Sequence, residues 1–592
     1  MYPSQDHRVS VRRSPPRATL PLACLAAALS ASAALTGAEA LAQDAQPQIM
    51  APMTPGDCAA LAEAQLPNTR IVEATAMPAS ESPKQPAHCK VVGAINERTG
   101  SDGKLYAIGF NLLMAEDWNG RFLFQGGGGV DGVIRRAEGT FGPEREDDNP
   151  LSHGYAVATT DSGHKIERNI PVVGAVTFGL EQTARVEYGY EALEMITPII
   201  KEIIADHYGA APRHSYFIGC SNGGRQAFQA SQRFPEMFDG VVAGAPGFNA
   251  PDAVVNQMWY LKAWAEAATE KDAEGYPYLA TALTAAEQQT VADAVLERCD
   301  ARDGLVDGVV DDVPGCDFDP AVLQCTGEKT DQCLRPEQVT ALEKMFAGPT
   351  DSSGKRLAVD WPWDAGISAP GWRDRPLGFP SEEKINNASA LYLGGAAQAY
   401  LFSTPPKTPG LEEAKAGNAA GARAAMQDYV FNYDFDTEPA ALRATNDEFP
   451  ESPVSWDVAD KTDLSAFKDL GHKMIVYHGG SDPSWSLNDT MRWYKGVEEK
   501  DPAVRDFARL FIVPGLNHCT GGPAMEKADF LTPLVEWVEH GKAPERIVGE
   551  ALEAEDVPWP GRTRPFCVYP EQARYTGVGS IEMAENFVCE RP

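Results

Sequence analysis

The stretch His214-Ser215-Tyr216-Phe217-Ile218-Gly219-Cys220-Ser221-Asn222-Gly223-Gly224-Arg225-Gln226-Ala227-Phe228 decides the fold. Its first five residues are a β-like run, and its last five open a helix-like run. Between them, Gly219-Cys220-Ser221-Asn222-Gly223 matches G-x-S-x-G. Glycines on both sides let the backbone turn sharply from strand to helix and leave the serine hydroxyl exposed. The helix N-terminus offers backbone N–H groups and a positive dipole to a developing oxyanion. In a chain with 53 glycines the pentapeptide alone is weak, and an ordinary Gly-rich turn is the competing reading. The strand–turn–helix context is what raises it.

A serine nucleophile needs a base, and the base needs an orienting carboxylate. Two later segments offer them in the chain order Ser, Asp, His. The strand-like Lys473-Met474-Ile475-Val476-Tyr477 runs into His478-Gly479-Gly480-Ser481-Asp482. The strand-like Leu510-Phe511-Ile512-Val513 runs into Pro514-Gly515-Leu516-Asn517-His518-Cys519. Both candidates, Asp482 and His518, sit just past the C-terminal end of a strand, where α/β sheets gather their active sites. His478 is the competing histidine, and a turn carboxylate is the bland reading of Asp482. Gln125-Gly126-Gly127-Gly128-Gly129 follows the strand-like Arg121–Phe124. Such a loop commonly supplies one oxyanion N–H, with the residue after the nucleophile supplying the other. Here these are Gly129, or a neighbouring glycine, and Asn222.

Working outward, strand candidates Leu105–Leu113, Arg121–Phe124, Tyr155–Thr160 and Ser215–Gly219 alternate with helix candidates Thr183–Tyr208 and Gly223–Arg233. This alternation predicts an α/β parallel sheet. Residues 250–465 change character, with acidic loops, two closely spaced cysteine pairs and Ala-rich helical stretches, and are read as an insertion. Strand signals return at Lys473–Tyr477 and Arg509–Val513, followed by a helix at Leu531–Glu539. Residues 43–90 are Pro/Ala-rich and are expected to wrap the surface. The expected organisation is 1–42 leader, 43–249 first part of the core, 250–465 insertion and 466–592 second part of the core.

The 592 residues carry 84 Asp+Glu against 51 Lys+Arg, a net charge of −33. That acidity argues against nucleic acid and against an anionic membrane surface as partners. Arg8, Arg12, Arg13 and Arg17 precede an Ala/Leu-rich run to about Leu35 and a small-residue site, Ala40-Leu41-Ala42. This is the arrangement of a cleaved secretory signal peptide, so a secreted or periplasmic protein is expected. A transmembrane anchor and a lipid anchor on Cys24 are the competing readings. Cleavage after Ala42 leaves ten of the eleven cysteines, an even number that suggests five disulfides whose connectivity sequence does not determine. Pairing neighbours gives Cys58–Cys89, Cys299–Cys316, Cys325–Cys333 and Cys567–Cys589, and leaves Cys220 and Cys519. Cys220 precedes Ser221 and Cys519 follows His518. If Ser221 and His518 meet, these cysteines meet too. Closing so long a loop contributes on the order of 5 kcal/mol in the chain-entropy model.

Asp300-Ala301-Arg302-Asp303-Gly304-Leu305-Val306-Asp307-Gly308-Val309-Val310-Asp311 lies between Cys299 and Cys316. Carboxylates at spacings of three and four with turn-forming glycines make an oxygen-rich cage of the kind calcium favours. A solvated acidic loop is the bland alternative.

Together these residues resemble the tannase/feruloyl esterase family of α/β-hydrolases over nearly the whole chain after residue 42. The closest likeness is to its bacterial branch of terephthalate-monoester hydrolases. The Cys220-Ser221…His518-Cys519 pair, the 300–311 pattern, and the stretches Ser215–Ser221 and Gly244-Ala245-Pro246-Gly247 carry the resemblance. It implies an α/β-hydrolase core with a large inserted lid domain. It implies catalytic Ser221, Asp482 and His518, oxyanion donors Gly129 and Asn222, and Trp485 beside the substrate ring. It implies a structural calcium on Asp300, Asp303 and Asp307 and the carbonyls of Leu305 and Val309, with no organic cofactor. In that branch a lid arginine holds the substrate's free carboxylate. The matching stretch here, Asn386-Asn387-Ala388-Ser389-Ala390-Leu391, has none, and Arg373 and Arg375 are the nearby cations. The expected function is hydrolysis of small aromatic esters (terephthalate monoesters, feruloyl or galloyl esters) by a monomer. A peptidase or acyltransferase with the same triad, and a non-catalytic calcium-dependent binding protein, are the alternatives.

Overall fold

The structure is a computed structural model that describes residues 56–81, 84–143, 148–553 and 557–592. The leader expected over 1–42, with Cys24, lies outside the described residues.

A nine-stranded mixed sheet organises the molecule. Its strands are β1 (Thr69–Met77), β2 (His88–Thr99), β3 (Leu105–Ala115), β4 (Arg121–Gln125), β5 (Ala156–Thr160), β6 (His214–Cys220), β7 (Gly240–Gly244), β8 (Lys473–Gly479) and β9 (Ala508–Val513). Their spatial order is β1-β2-β3-β5-β4-β6-β7-β8-β9. The pairs β1/β2, β2/β3 and β3/β5 are antiparallel. From β5 to β9 every pair is parallel. Strands covered on both faces read as continuous apolar runs rather than alternating ones. Accordingly Ser215 to Gly219 and all of β7 are buried.

Helix α1 (Ala192–Tyr208) and helix α2 (Asn222–Arg233) cover one face. There Ile196, Ile200, Ile203, Ile204 and Phe228 pack with Phe110, Phe122, Phe124 and Phe217. On the other face Leu531, Leu534 and Trp537 of the helix Leu531–His540 pack with Tyr216, Ile218, Ile475 and Phe511. Between Gly244 and Lys473 the described chain adds no strand to this sheet. That segment packs its apolar residues around Tyr260, Trp264, Tyr400 and Trp456, joined by Val173, Phe178 and Tyr188 from the first part of the chain. Five disulfides join Cys58–Cys89, Cys220–Cys519, Cys299–Cys316, Cys325–Cys333 and Cys567–Cys589. Among the described residues no helix is long and apolar enough to cross a membrane.

Three expectations need correction. The sheet is mixed rather than parallel, because Leu105–Ala115 pairs antiparallel with both of its neighbours. Residues 43–90 do not simply wrap the surface, because Thr69–Met77 forms the edge strand β1 paired to β2. Its residues are all exposed or half-buried, so no buried face with a strand's alternation marks it off from loop. The expected helix Thr183–Tyr208 begins at Gln182 and is interrupted by a π-helical segment over Glu187–Glu191. Such insertions depend on packing, here of the Gly189 backbone against Trp456, whose carbonyl oxygen lies 2.6 Å from where a Cβ would stand.

Candidate active site

Ser221 sits at the turn between β6 and α2 with φ 63° and ψ −122°. This left-handed backbone is costly for any residue but glycine, and the surrounding turn holds it. The Ser221 N–H donates to the Gly244 carbonyl at 3.0 Å, fixing the turn against β7. Glycine is obligatory around it for lack of space. A Cβ on Gly219 would come within 2.6 Å of the Gly223 backbone, and one on Gly126 within 2.7 Å of Gly223 Cα. The glycine loop after β4 therefore packs directly on the first turn of α2.

His518 bridges to both partners. Its Nε2 is 2.7 Å from Ser221 Oγ, and its Nδ1 is 2.8 Å from Asp482 Oδ2. Asp482 Oδ1 accepts from the N–H of Ser484 at 2.7 Å and of Trp485 at 3.2 Å. Burial alone would push the Asp482 carboxyl up, but His518 and His478 outweigh it and hold it well below the ordinary carboxylate range. Burial lowers the pKa of His518, Asp482 opposes that shift, and the nearby Arg375 reinforces it. The sequence thus brings Ser221, His518 and Asp482 into one hydrogen-bonded chain, with the Cys220–Cys519 disulfide beside it. His478, the competing histidine, is packed away from the serine. Its Nδ1 meets Thr490 Oγ1 at 2.8 Å and its Nε2 lies 3.0 Å from the Trp485 carbonyl.

Ser221 opens onto a cleft lined also by Gly129, Asn222, Gln257, Arg375 and Trp485. Gly129 has φ 61°, and a Cβ there would meet nothing, so its backbone is open to the cleft. Asn222 is the first residue of α2, so its N–H has no intrahelical acceptor. The Trp485 ring lies 6.3 Å from the His518 ring at 74°.

The two arginines near the missing lid cation have different fates. Arg373 is buried, and its guanidinium donates to the carbonyls of Leu283 and Ala280 and to Gln288 Oε1. Arg375 lines the cleft, and among the described residues its guanidinium has no hydrogen-bond or ion-pair partner. Sequence reasoning named both without separating them. It missed Gln257, whose buried Oε1 has no partner among the described residues and which no local motif marks.

The acidic loop lies apart from the cleft. Asp300 accepts from the N–H of Asp307 at 3.1 Å and of Gly308 at 2.9 Å. Asp303 accepts from the N–H of Leu305 at 2.9 Å and of Asp311 at 3.3 Å. One Asp307 oxygen is held by Arg564. Burial first, then the neighbouring aspartates, push Asp303 up to about 6. The same causes raise Asp311 well above its ordinary value. Among the described residues no three His, Cys, Asp or Glu are already gathered as a metal-binding group. Nevertheless the donor set fits calcium: hard oxygens in one loop whose mutual repulsion a cation would relieve.

A sequence profile of the tannase and feruloyl esterase family matches residues 89–590. Mono(2-hydroxyethyl) terephthalate hydrolase of Piscinibacter sakaiensis is 41% identical over 529 residues, spanning 86% of this chain and 85% of the relative. Feruloyl esterase C of Talaromyces stipitatus is 27% identical over 500 residues, spanning 80% and 81%. The crystal structure of feruloyl esterase B from Aspergillus oryzae superposes with a TM-score of 0.67 at 22% identity, covering 90% of this chain and 99% of that one. That likeness shows the fold. With a profile match over most of its length and a carboxylic-ester hydrolase for a relative, this α/β-hydrolase chain belongs to the tannase and feruloyl esterase family.

Proposed function

We propose that the protein is a serine esterase that cleaves esters of aromatic acids through an acyl-enzyme on Ser221. The observation that carries this reading is the unbroken chain from Ser221 Oγ through His518 to buried Asp482 at the wall of an apolar cleft. His518 Nε2 takes the serine proton as Oγ attacks the ester carbonyl, then returns it to the leaving alcohol. Asp482 fixes the tautomer and orientation of His518 and stabilises the imidazolium. The N–H groups of Gly129 and Asn222 receive the oxyanion. Water, activated by the same histidine, then releases the acid. Trp485 flanks the aromatic ring, and residues 250–465 act as the lid.

The free Arg375 guanidinium supports a finer choice. Burying a carboxylate is costly unless a cation or hydrogen-bond donors compensate it, and Arg375 faces the cleft with its donors unused. Acyl groups carrying a second carboxylate, such as a terephthalate monoester, are therefore favoured over ferulate or gallate. The loop 300–311 would hold calcium through Asp300, Asp303 and Asp307 and the carbonyls of Leu305 and Val309, as a structural ion outside the lining of the cleft. The five disulfides suit an exported protein, since such bonds persist in oxidising compartments.

The test is a hydrolysis panel of mono(2-hydroxyethyl) terephthalate, methyl ferulate, methyl gallate and p-nitrophenyl acetate, with Ser221→Ala as blank. Turnover in the wild type with a loss on the order of 10⁶ in kcat for Ser221→Ala is expected. Full turnover by Ser221→Ala would sink the proposal, and a preference for ferulate or gallate would remove the carboxylate assignment alone.

A further inference from the structure

Asp131 lies two residues beyond Gly129, and its carboxylate is buried. Among the described residues it forms no ion pair. Three side chains donate to it instead. Asn222 Nδ2 meets Oδ1, while Ser162 Oγ and Gln226 Nε2, the latter at 2.9 Å, meet Oδ2. Two of those donors are in the first turns of α2, directly after Ser221. Each is tied onward. Asn222 Oδ1 accepts from Arg225 Nε at 2.7 Å. The other Arg225 nitrogens donate to the carbonyls of Gly189 and Tyr188, both at 2.8 Å. Gln226 Oε1 accepts from the Gly127 N–H at 3.0 Å. The glycine loop also rests on the carboxylate itself, since a Cβ on Gly127 would stand 2.7 Å from Asp131 Oδ2.

We propose that Asp131 is the positioning residue of the oxyanion hole, the buried acceptor that holds the Gly129 loop against the first turn of α2. The proposal rests on the assignment of Ser221 as nucleophile. Only a group that accepts at both oxygens satisfies this network. An asparagine at 131 would turn an amide NH₂ towards the donors of either Asn222 or Gln226. Gln226 cannot flip to meet it without losing the Gly127 N–H, because the same carboxamide serves both. The displacement would fall on the distance between the Gly129 and Asn222 N–H groups, leaving Ser221, His518 and Asp482 untouched. Misplacing such a group by about 1 Å can cost on the order of 100-fold in rate.

The experiment compares wild type with Asp131→Asn in steady-state hydrolysis and in binding two inhibitors. An aryl boronic acid forms a tetrahedral adduct on Ser221 with one oxygen in the oxyanion hole. The planar product acid occupies the cleft without building a tetrahedral oxyanion. The expected result is a fall of about 10–100-fold in kcat with KM within about twofold. Boronate affinity should fall in parallel while product-acid affinity stays unchanged. Retention of wild-type kcat and boronate affinity by folded Asp131→Asn would overturn the proposal. A joint loss of boronate and product-acid affinity would also overturn it, since that marks collapse of the cleft. If Asp131→Asn fails to fold, Gln226→Met carries the test. It keeps the carboxylate but cuts the link to Gly127, and the same selective loss of kcat is required. Unchanged turnover in Ser221→Ala would instead remove the nucleophile assignment, which separates the two failures.

Discussion

Two disulfide-closed regions of this chain use their carboxylates in opposite ways. Beside Cys220–Cys519, Asp482 is fully buried yet held low, because two histidines and two backbone N–H groups surround it. Beside Cys299–Cys316, Asp303 and Asp311 face each other and Asp307, and are pushed up. The first region carries its own counter-groups and is electrostatically complete within the chain. The second is under-compensated by the chain, which is the condition under which a divalent cation stabilises a loop.

The largest expected effect separates the two cross-links. Replacing Cys220 and Cys519 by serine opens a loop of 299 residues, against 17 for Cys299 and Cys316. In the chain-entropy model these losses are about 6 and about 3 kcal/mol, read in urea unfolding. A greater cost for the short loop would mean that the acidic region depends on its disulfide for ion binding as well as for chain entropy. Next in size, chelation of calcium should lower the melting temperature. The expected loss is about 3 kcal/mol relative to buffer with calcium a hundredfold above its dissociation constant. Stability indifferent to chelator and to added calcium would make 300–311 an ordinary solvated loop and dissolve the contrast.

A smaller effect sharpens the site itself. Arg375→Gln should raise KM for the monoester of an aromatic diacid by about 10–100-fold, the loss of one charge-assisted contact. A neutral ester of the same alcohol should change less than about twofold, and equal losses on both would show that Arg375 shapes the lid without binding a carboxylate. The smallest effect is on pH dependence. A cation disfavours the imidazolium, and burial does so more strongly, so His518 stays neutral to a pH below its ordinary value. The acid limb of kcat/KM against pH should therefore lie below about 6.5. Removing the Arg375 charge should move that limb upward, and an unmoved or lowered limb would contradict the electrostatic contact.

Legibility in the sequence followed the range of the interactions. The turn around Ser221 was readable because strand, glycines and helix are consecutive. The edge strand Thr69–Met77 was not, because its residues are mostly exposed and its identity comes from pairing with His88–Ile95. The short strand Gly240–Gly244 also escaped notice. Five residues flanked by glycine carry no periodicity, and only burial between β6 and β8 marks them.

By itself the sequence determined the strand–turn–helix at Ser221 and the order in which Asp482 and His518 follow. These are local backbone patterns and a chain order, and both survive without knowledge of packing. Only the tertiary structure decided which of two arginines, two residues apart, is free. Arg373 is captured by carbonyls of residues 280 and 283, some ninety positions away, while Arg375 is turned into the cleft. It likewise decided that Asp131 meets Asn222 and Gln226 across more than ninety residues. The physical reason is common to both. A buried polar group takes whatever partner the fold brings within about 3 Å, and nothing in its own neighbourhood of the chain records which partner that is.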